Sequence, residues 1–143
     1  MYVLDSSAIA IILRRFKEKS IELLEGRITL DLALYELGNV MWKEHMVEKL
    51  ISEEEAVSKV GNLSNILETM EVEKITSSED LRSIMRLAIE QKLTFYDSSY
   101  LYIAKTKKAI LVTEDNELIE KAKQADVKVE RVNEYATPFL NQY

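Results

Sequence analysis

The sequence predicts an α/β domain with helices on both faces of a mostly parallel sheet of about five strands. Short apolar runs suited to strands alternate with longer stretches of helical periodicity, joined by short connections. One proline and three glycines in 143 residues leave no linker, low-complexity tract or internal repeat. Residues 1–143 are therefore expected to form one domain, long enough to bury a real core.

The elements follow in order. Tyr2–Leu4 reads as the first strand, and helices follow over Ser7–Phe16 and Lys19–Glu25. Arg27–Leu30 is the second strand and Leu32–Leu50 the helix after it. Ser52 with Glu55 makes a capping box that starts a helix over Glu53–Met70. Val57, Val60, Leu63 and Leu67 form one stripe there, so one face should pack. The strand Val72–Ile75 leads to a helix over Ser78–Gln91, capped by Ser77 or Ser78. The helix Ser98–Lys107 is apolar nearly all round from Tyr100 to Ala104, which implies a central, buried position. Ala109–Val112, a helix over Asn116–Gln124 and the strand Lys128–Arg131 complete the pattern.

Composition excludes several classes of chemistry. Without cysteine there is no disulfide, thiol catalysis or cysteine-ligated zinc. The one histidine, His45, would have to serve any Ser-His-Asp triad, and beside Glu44 and Met46 it reads as a surface position on a helix. Gly26, Gly38 and Gly61 stand alone, so there is no glycine-rich phosphate loop. No apolar run is long enough to span a membrane, and no basic segment precedes the first one; a soluble, cytoplasmic protein is expected. A net charge of −6 argues against indiscriminate, charge-driven binding of nucleic acid. The basic residues fall in two groups, Arg14, Arg15, Lys17 and Lys19, then Lys105, Lys107 and Lys108. Each could follow a phosphate backbone, or sit at a helix end where the dipole favours cations.

Four acids stand apart. Asp5, Glu36, Asp97 and Asp115 each lie in an apolar run, and none has a Lys or Arg three or four positions away. Glu55 with Lys59, Glu117 with Lys121 and Glu120 with Lys123 read instead as ordinary solvated pairs. On the predicted scaffold Asp5 ends the first strand, and Asp115 closely follows the fourth. Glu36 lies about one turn into the helix after the second strand, and Asp97 begins the buried helix. The carboxyl ends of parallel strands share one edge, where such sheets bind ligands at a switch in strand order. Two carboxylates about 4 Å apart repel by roughly 4 kcal/mol at an effective dielectric near 20. Four together need protons or cations to coexist. Oxygen ligands without His or Cys suit Mg²⁺ or Mn²⁺, and such clusters suit metal-assisted phosphodiester hydrolysis. Asp97 and Asp115 each precede a helix, so N-capping is a second role open to both.

The order Val3-Leu4-Asp5-Ser6-Ser7-Ala8, Leu34-Tyr35-Glu36-Leu37, Thr94-Phe95-Tyr96-Asp97-Ser98-Ser99-Tyr100 and Leu111-Val112-Thr113-Glu114-Asp115 resembles a PIN domain. Within that family it is most similar to the toxin subunit of prokaryotic type II toxin–antitoxin pairs of the VapBC kind. The resemblance runs from Val3 to about Val129, and the segments at Asp97 and Asp115 are its most specific parts. It implies a Rossmann-like sandwich and a Mg²⁺- or Mn²⁺-dependent endoribonuclease. By the same resemblance Asp5, Glu36, Asp97 and Asp115 are the catalytic, metal-binding quartet. Asp5 and Asp97 lead as ligands, while Glu36 and Asp115 complete the set or orient water. Ser7 and Thr113 would support the quartet by hydrogen bonds.

The implied partners are an RNA substrate, a cognate antitoxin and a second copy of the chain, with no membrane. Trp42, Met41 and Met46 offer apolar surface for such contacts, with core packing the alternative for Met41. Competing functions are an RNA-processing nuclease of the same family without antitoxin, and an inert binding module of the same fold. Phosphotransfer on Asp5 is disfavoured, because Ser7 replaces the second Asp of an Asp-x-Asp motif and no well-placed Lys follows the last strand.

Overall fold

Strands of two or three residues can support two layers only if adjacent side chains point to opposite faces. In the structure, a computed structural model that describes residues 1–140, they do so. The last residues of the expected domain, 141–143, lie outside the described range. The strands are β1 (Tyr2–Leu4), β2 (Ile28–Leu30), β3 (Glu71–Glu73), β4 (Ile110–Val112) and β5 (Val129–Glu130). They form one sheet in the order β3-β2-β1-β4-β5, every pair parallel. Val3 lies opposite Leu111, and both enter one apolar cluster; Leu4 lies opposite Val112, and both enter the other.

Among the described residues eight α-helices cover the two faces: α1 (Ser6–Phe16), α2 (Ser20–Leu24), α3 (Leu32–Met46), α4 (Glu53–Glu68), α5 (Ser78–Gln91), α6 (Phe95–Lys107), α7 (Asn116–Gln124) and α8 (Val132–Leu140). Leu87 of α5, Leu101 and Ala104 of α6, and Leu118 and Ala122 of α7 pack with Val3 and Leu111. The opposite layer joins Ile9 and Ile12 of α1, Leu23 of α2, Leu37 of α3, Leu63 of α4 and Tyr135 of α8 around Leu4 and Val112. Helices therefore lie on both faces of a five-stranded parallel sheet, as the periodicity predicts. The segment Tyr100–Ala104 does lie in the core, apart from the half-buried Tyr102.

Local chemistry explains the departures from the expected boundaries. Thr94 accepts a hydrogen bond from the Asp97 amide at 3.1 Å, so α6 starts at Phe95 rather than Ser98. Helix α3 ends at Met46, and His45 Nδ1 donates to the Ile51 carbonyl at 2.9 Å, so the half-buried ring fastens the turn toward α4. The predicted stripe of α4 splits: Leu63 and Leu67 are buried while Val57 and Val60 are exposed. The solvated helix pairs of Glu55, Glu117 and Glu120 do not form among the described residues; the ion pairs there are Arg14–Glu44, Lys107–Glu73 and Arg131–Glu114. Arg14 and Arg15 occupy the last turn of α1, and Lys105 and Lys107 that of α6, where cations meet the negative helix end.

Helix α8 was not expected from the sequence, and its packing shows why it forms. Tyr135 is fully buried; its hydroxyl donates to the Leu23 carbonyl and accepts from Arg27 Nε at 2.7 Å. The Arg27 guanidinium also lies 5.2 Å from the Phe139 ring centroid. Tyr135→Phe leaves a buried carbonyl and a guanidinium donor without this partner, and should cost about 1–3 kcal/mol in urea denaturation.

Candidate active site

From β1 the chain runs outward through β2 to β3 on one side, and β4 and β5 flank β1 on the other. The strand order thus switches between β1 and β4, where the loops diverge and leave a crevice at the carboxyl edge. Asp5 directly follows β1, and Thr113, Glu114 and Asp115 follow β4.

Asp5 is only 4% exposed. It caps α1: its Oδ1 accepts from the Ala8 amide at 2.9 Å and from Ser7 Oγ at 2.7 Å. Its Oδ2 accepts from Thr113 Oγ1 at 2.5 Å. Ser7 Oγ in turn accepts from the Glu114 amide at 3.0 Å, and Thr113 Oγ1 from the Asp115 amide at 3.1 Å. Ser7 and Thr113 therefore clasp the two diverging loops across one carboxylate.

Glu36 sits in the second turn of α3, half-buried, with Oε1 accepting from Tyr100 Oη at 2.9 Å. Asp97 is the third residue of α6 and half-buried. Thr94 supplies that helix cap, so capping does not account for Asp97. Asp115 does cap α7, accepting from the Leu118 amide at 2.9 Å, and is exposed.

The four acids act on one another electrostatically. Burial pushes the Asp5 carboxyl up to about 6; bonds from Thr113, Ser7 and Ala8 oppose the rise, and Glu36 adds to it. Burial also raises Asp97 to about 6, helped by Asp115, Asp5 and Glu117. Glu36 is raised by burial and by Asp97, against hydrogen bonds from Tyr100 and Ser6. None of the ion pairs among the described residues includes a member of the quartet.

The donor set is all carboxylate oxygen on a partly buried edge, with no ion-pair partner among the described residues, which fits a hard divalent ion. Among the described residues no three acids share one coordination sphere.

Sequence reasoning missed three contributors. Tyr100 reads as core in the sequence, yet its hydroxyl fixes Glu36; a buried tyrosine needs a partner, and that was the available signal. Glu117 reads as a solvated helix acid but adds to the field at Asp97. Arg131 braces the Asp115 loop through the Glu114 carbonyl and carboxylate, each at 3.3 Å, and nothing in the sequence pattern marks it.

Stability should depend on pH in a definite direction. Asp5 and Asp97 bind protons more tightly folded than unfolded, so their contribution is full below about pH 4 and lost as pH rises through about 6. Thermal melts of the metal-free protein in chelator should show Tm falling across that window. Asp97→Asn should raise Tm above pH 6 and flatten the profile; an unaltered profile would contradict the electrostatic assignment.

The family model of the PIN domain matches residues 2–124. Exonuclease VapC9 of Pyrobaculum aerophilum is 35% identical over 124 residues, 87% of this chain and 87% of its own length. Ribonuclease VapC3 of the same organism is 32% identical over 124 residues, 83% of this chain and 92% of its own length. The crystal structure of PAE2754 from Pyrobaculum aerophilum superposes with a TM-score of 0.78 at 30% identity, covering 98% of this chain and 95% of that one. Nucleases of this kind generally use a divalent metal. This chain belongs to the PIN-domain family, among its VapC-type members.

Proposed function

We infer that this protein is the toxin nuclease of a toxin–antitoxin pair, an endoribonuclease that hydrolyses RNA phosphodiester bonds with Mg²⁺ or Mn²⁺. One observation carries the reading: at the carboxyl edge of the sheet Asp5, Glu36 and Asp97 each have their proton affinity raised in part by another acid of the quartet, and among the described residues none of the four has an ion-pair partner. The kinship with a ribonuclease and an exonuclease of the VapC type supports the same chemistry. The proposed site of action is the cytoplasm, where the RNA substrate would be met.

Asp5, Glu36, Asp97 and Asp115 would hold the ion, which supplies a Lewis acid at the phosphodiester and an acidified water. The chain's own residues do the rest. Ser7 and Thr113 fix the plane of the Asp5 carboxylate, so that ligand enters the site already oriented. Tyr100 holds Glu36 by one oxygen. Asp115 has Oδ1 on the Leu118 amide, which leaves Oδ2 to orient water and take its proton.

An antitoxin and a second copy of the chain are the proposed partners, and exposed apolar side chains favour such contacts. Trp42 is 54% exposed, and Met46, Val47 and Leu50 near it are also open, whereas Met41 packs partly into the core. An apolar groove of about 540 Å³ between α1, α3 and α4 runs past Leu13, Leu37 and Ile66, with Arg14 and Lys59 at its rim. That surface favours a partnered toxin over a free-standing RNA-processing enzyme.

Circular RNA tests the reading, because only an internal cut linearises it. Wild-type protein with Mn²⁺ or Mg²⁺ should linearise the circle, and chelator should stop the reaction. Ser7→Ala should slow it about 10–100-fold, as loss of an orienting partner does. Asp5→Asn and Asp97→Asn should slow it further. Cleavage that persists in chelator or in Asp5→Asn would sink the metal mechanism, and cleavage of linear RNA alone would mark an exonuclease.

A further inference from the structure

Two tyrosines beside the acidic edge have no structural employment. Tyr35 is 75% exposed and Tyr96 is 60% exposed, and each immediately precedes an acid of the quartet, Glu36 and Asp97. Together they line an open pocket of about 400 Å³ whose wall includes Glu36 itself. That volume is within the roughly 300–1,000 Å³ common for small-ligand sites. Tyr35, Asn39 and Lys43 follow one another at i, i+4 and i+8 on α3, so they make a single stripe along the pocket. Among the described residues, the side chains of Tyr35, Asn39, Lys43 and Tyr96 make no hydrogen bond, ion pair or ring contact.

We propose that this pocket receives one unstacked nucleotide of single-stranded RNA, next to the phosphodiester that is hydrolysed at the quartet. This rests on the nuclease reading above and adds to it a positioning surface for the substrate strand. Each group in the stripe has a task that nucleotide chemistry supplies. A tyrosine ring offers a flat face to a base and tolerates any base, because every base has a π-face. Asn39 presents both a donor and an acceptor to a base edge. Lys43 supplies a cation for a neighbouring phosphate in a protein of net charge −6, where binding cannot come from the overall field. Leu32 and Val40 give the pocket an apolar floor. Continuity with Glu36 fixes the occupant as part of the same substrate chain rather than a separate ligand. A base held in a duplex stays stacked on its neighbours and cannot enter, so the pocket selects unpaired RNA.

Binding and cleavage of a short unstructured oligouridylate, and of its duplex with oligoadenylate, test the proposal. Both tyrosines are exposed, so the variants should fold as the wild type does. Tyr96→Ala and Tyr35→Ala should each raise Kd and KM for the single strand about tenfold, with kcat nearly unchanged. One decade is about 1.4 kcal/mol, within the range of base–aromatic stacking. Tyr96→Phe should restore binding, because the ring carries it and not the hydroxyl. Lys43→Gln should weaken binding and lower its salt dependence. Alanine variants that bind the single strand as wild type does would overturn the proposal, as would a Phe variant as weak as Ala. An equal loss on the duplex would overturn it too, because the pocket would then not select an unpaired base. Tyrosine-dependent binding without cleavage by any form would count against the nuclease reading alone. Wild-type cleavage unaffected by any pocket variant would count against this assignment alone.

Discussion

The Asp5 carboxylate is held at 4% exposure at the end of the central strand, and burial of such a group is unfavourable by several kcal/mol unless something answers its charge. Here the protein answers in part, with an amide and two hydroxyls that occupy both oxygens. The donors come from opposite sides of the crevice, Ser7 from the start of α1 and Thr113 from the end of β4. The hydroxyl oxygens of Ser7 and Thr113 in turn accept the Glu114 and Asp115 amides, so one small network closes the switch point of the sheet. If Asp5 were lost, the network would lose its centre and the two loops their common anchor. The remaining deficit of positive charge is what a divalent cation would supply.

The rest of the fold can be read as the means of bringing three more acids to that point. Parallel strands present their carboxyl ends together, so helices that follow β2 and precede β4 start on the same edge. Helix α6 passes through the core, which fixes Asp97 at its first turn and Tyr100 one turn on. Tyr100 then reaches Glu36 on α3, so that two helices of different layers meet over the site. Burial raises the proton affinity of Asp5, Glu36 and Asp97 alike, and each also raises another. A site of this kind is destabilising when empty of charge compensation, which is the usual signature of function rather than of fold stability.

Much of this was legible in the sequence, for physical reasons that particular residues illustrate. Val3 and Leu4, or Leu111 and Val112, are apolar in succession because both faces of a parallel strand are covered, and that made the strands visible. Asp5, Glu36, Asp97 and Asp115 stood out because each lacked a helical counter-charge. Helix α8 escaped notice because what holds it, the meeting of Tyr135 with Leu23 and Arg27, is more than one hundred residues away in sequence. The exposure of Val57 and Val60 was equally hidden, since a periodic stripe shows which face is apolar and not how far its partner extends. Capping was ambiguous for Asp97 until Thr94 proved to be the cap, whereas Asp115 turned out to be a cap in fact.

The central claim is that Asp5 and Asp97 form part of a field of carboxylates that a divalent cation relieves. Carboxyl carbon NMR titration of both residues, with and without saturating Mg²⁺, measures this directly. The account expects midpoints near 6 in the metal-free protein, with Mg²⁺ driving both below the ordinary carboxylate range. Midpoints already at or below the ordinary range without metal, or unmoved by Mg²⁺, would contradict it.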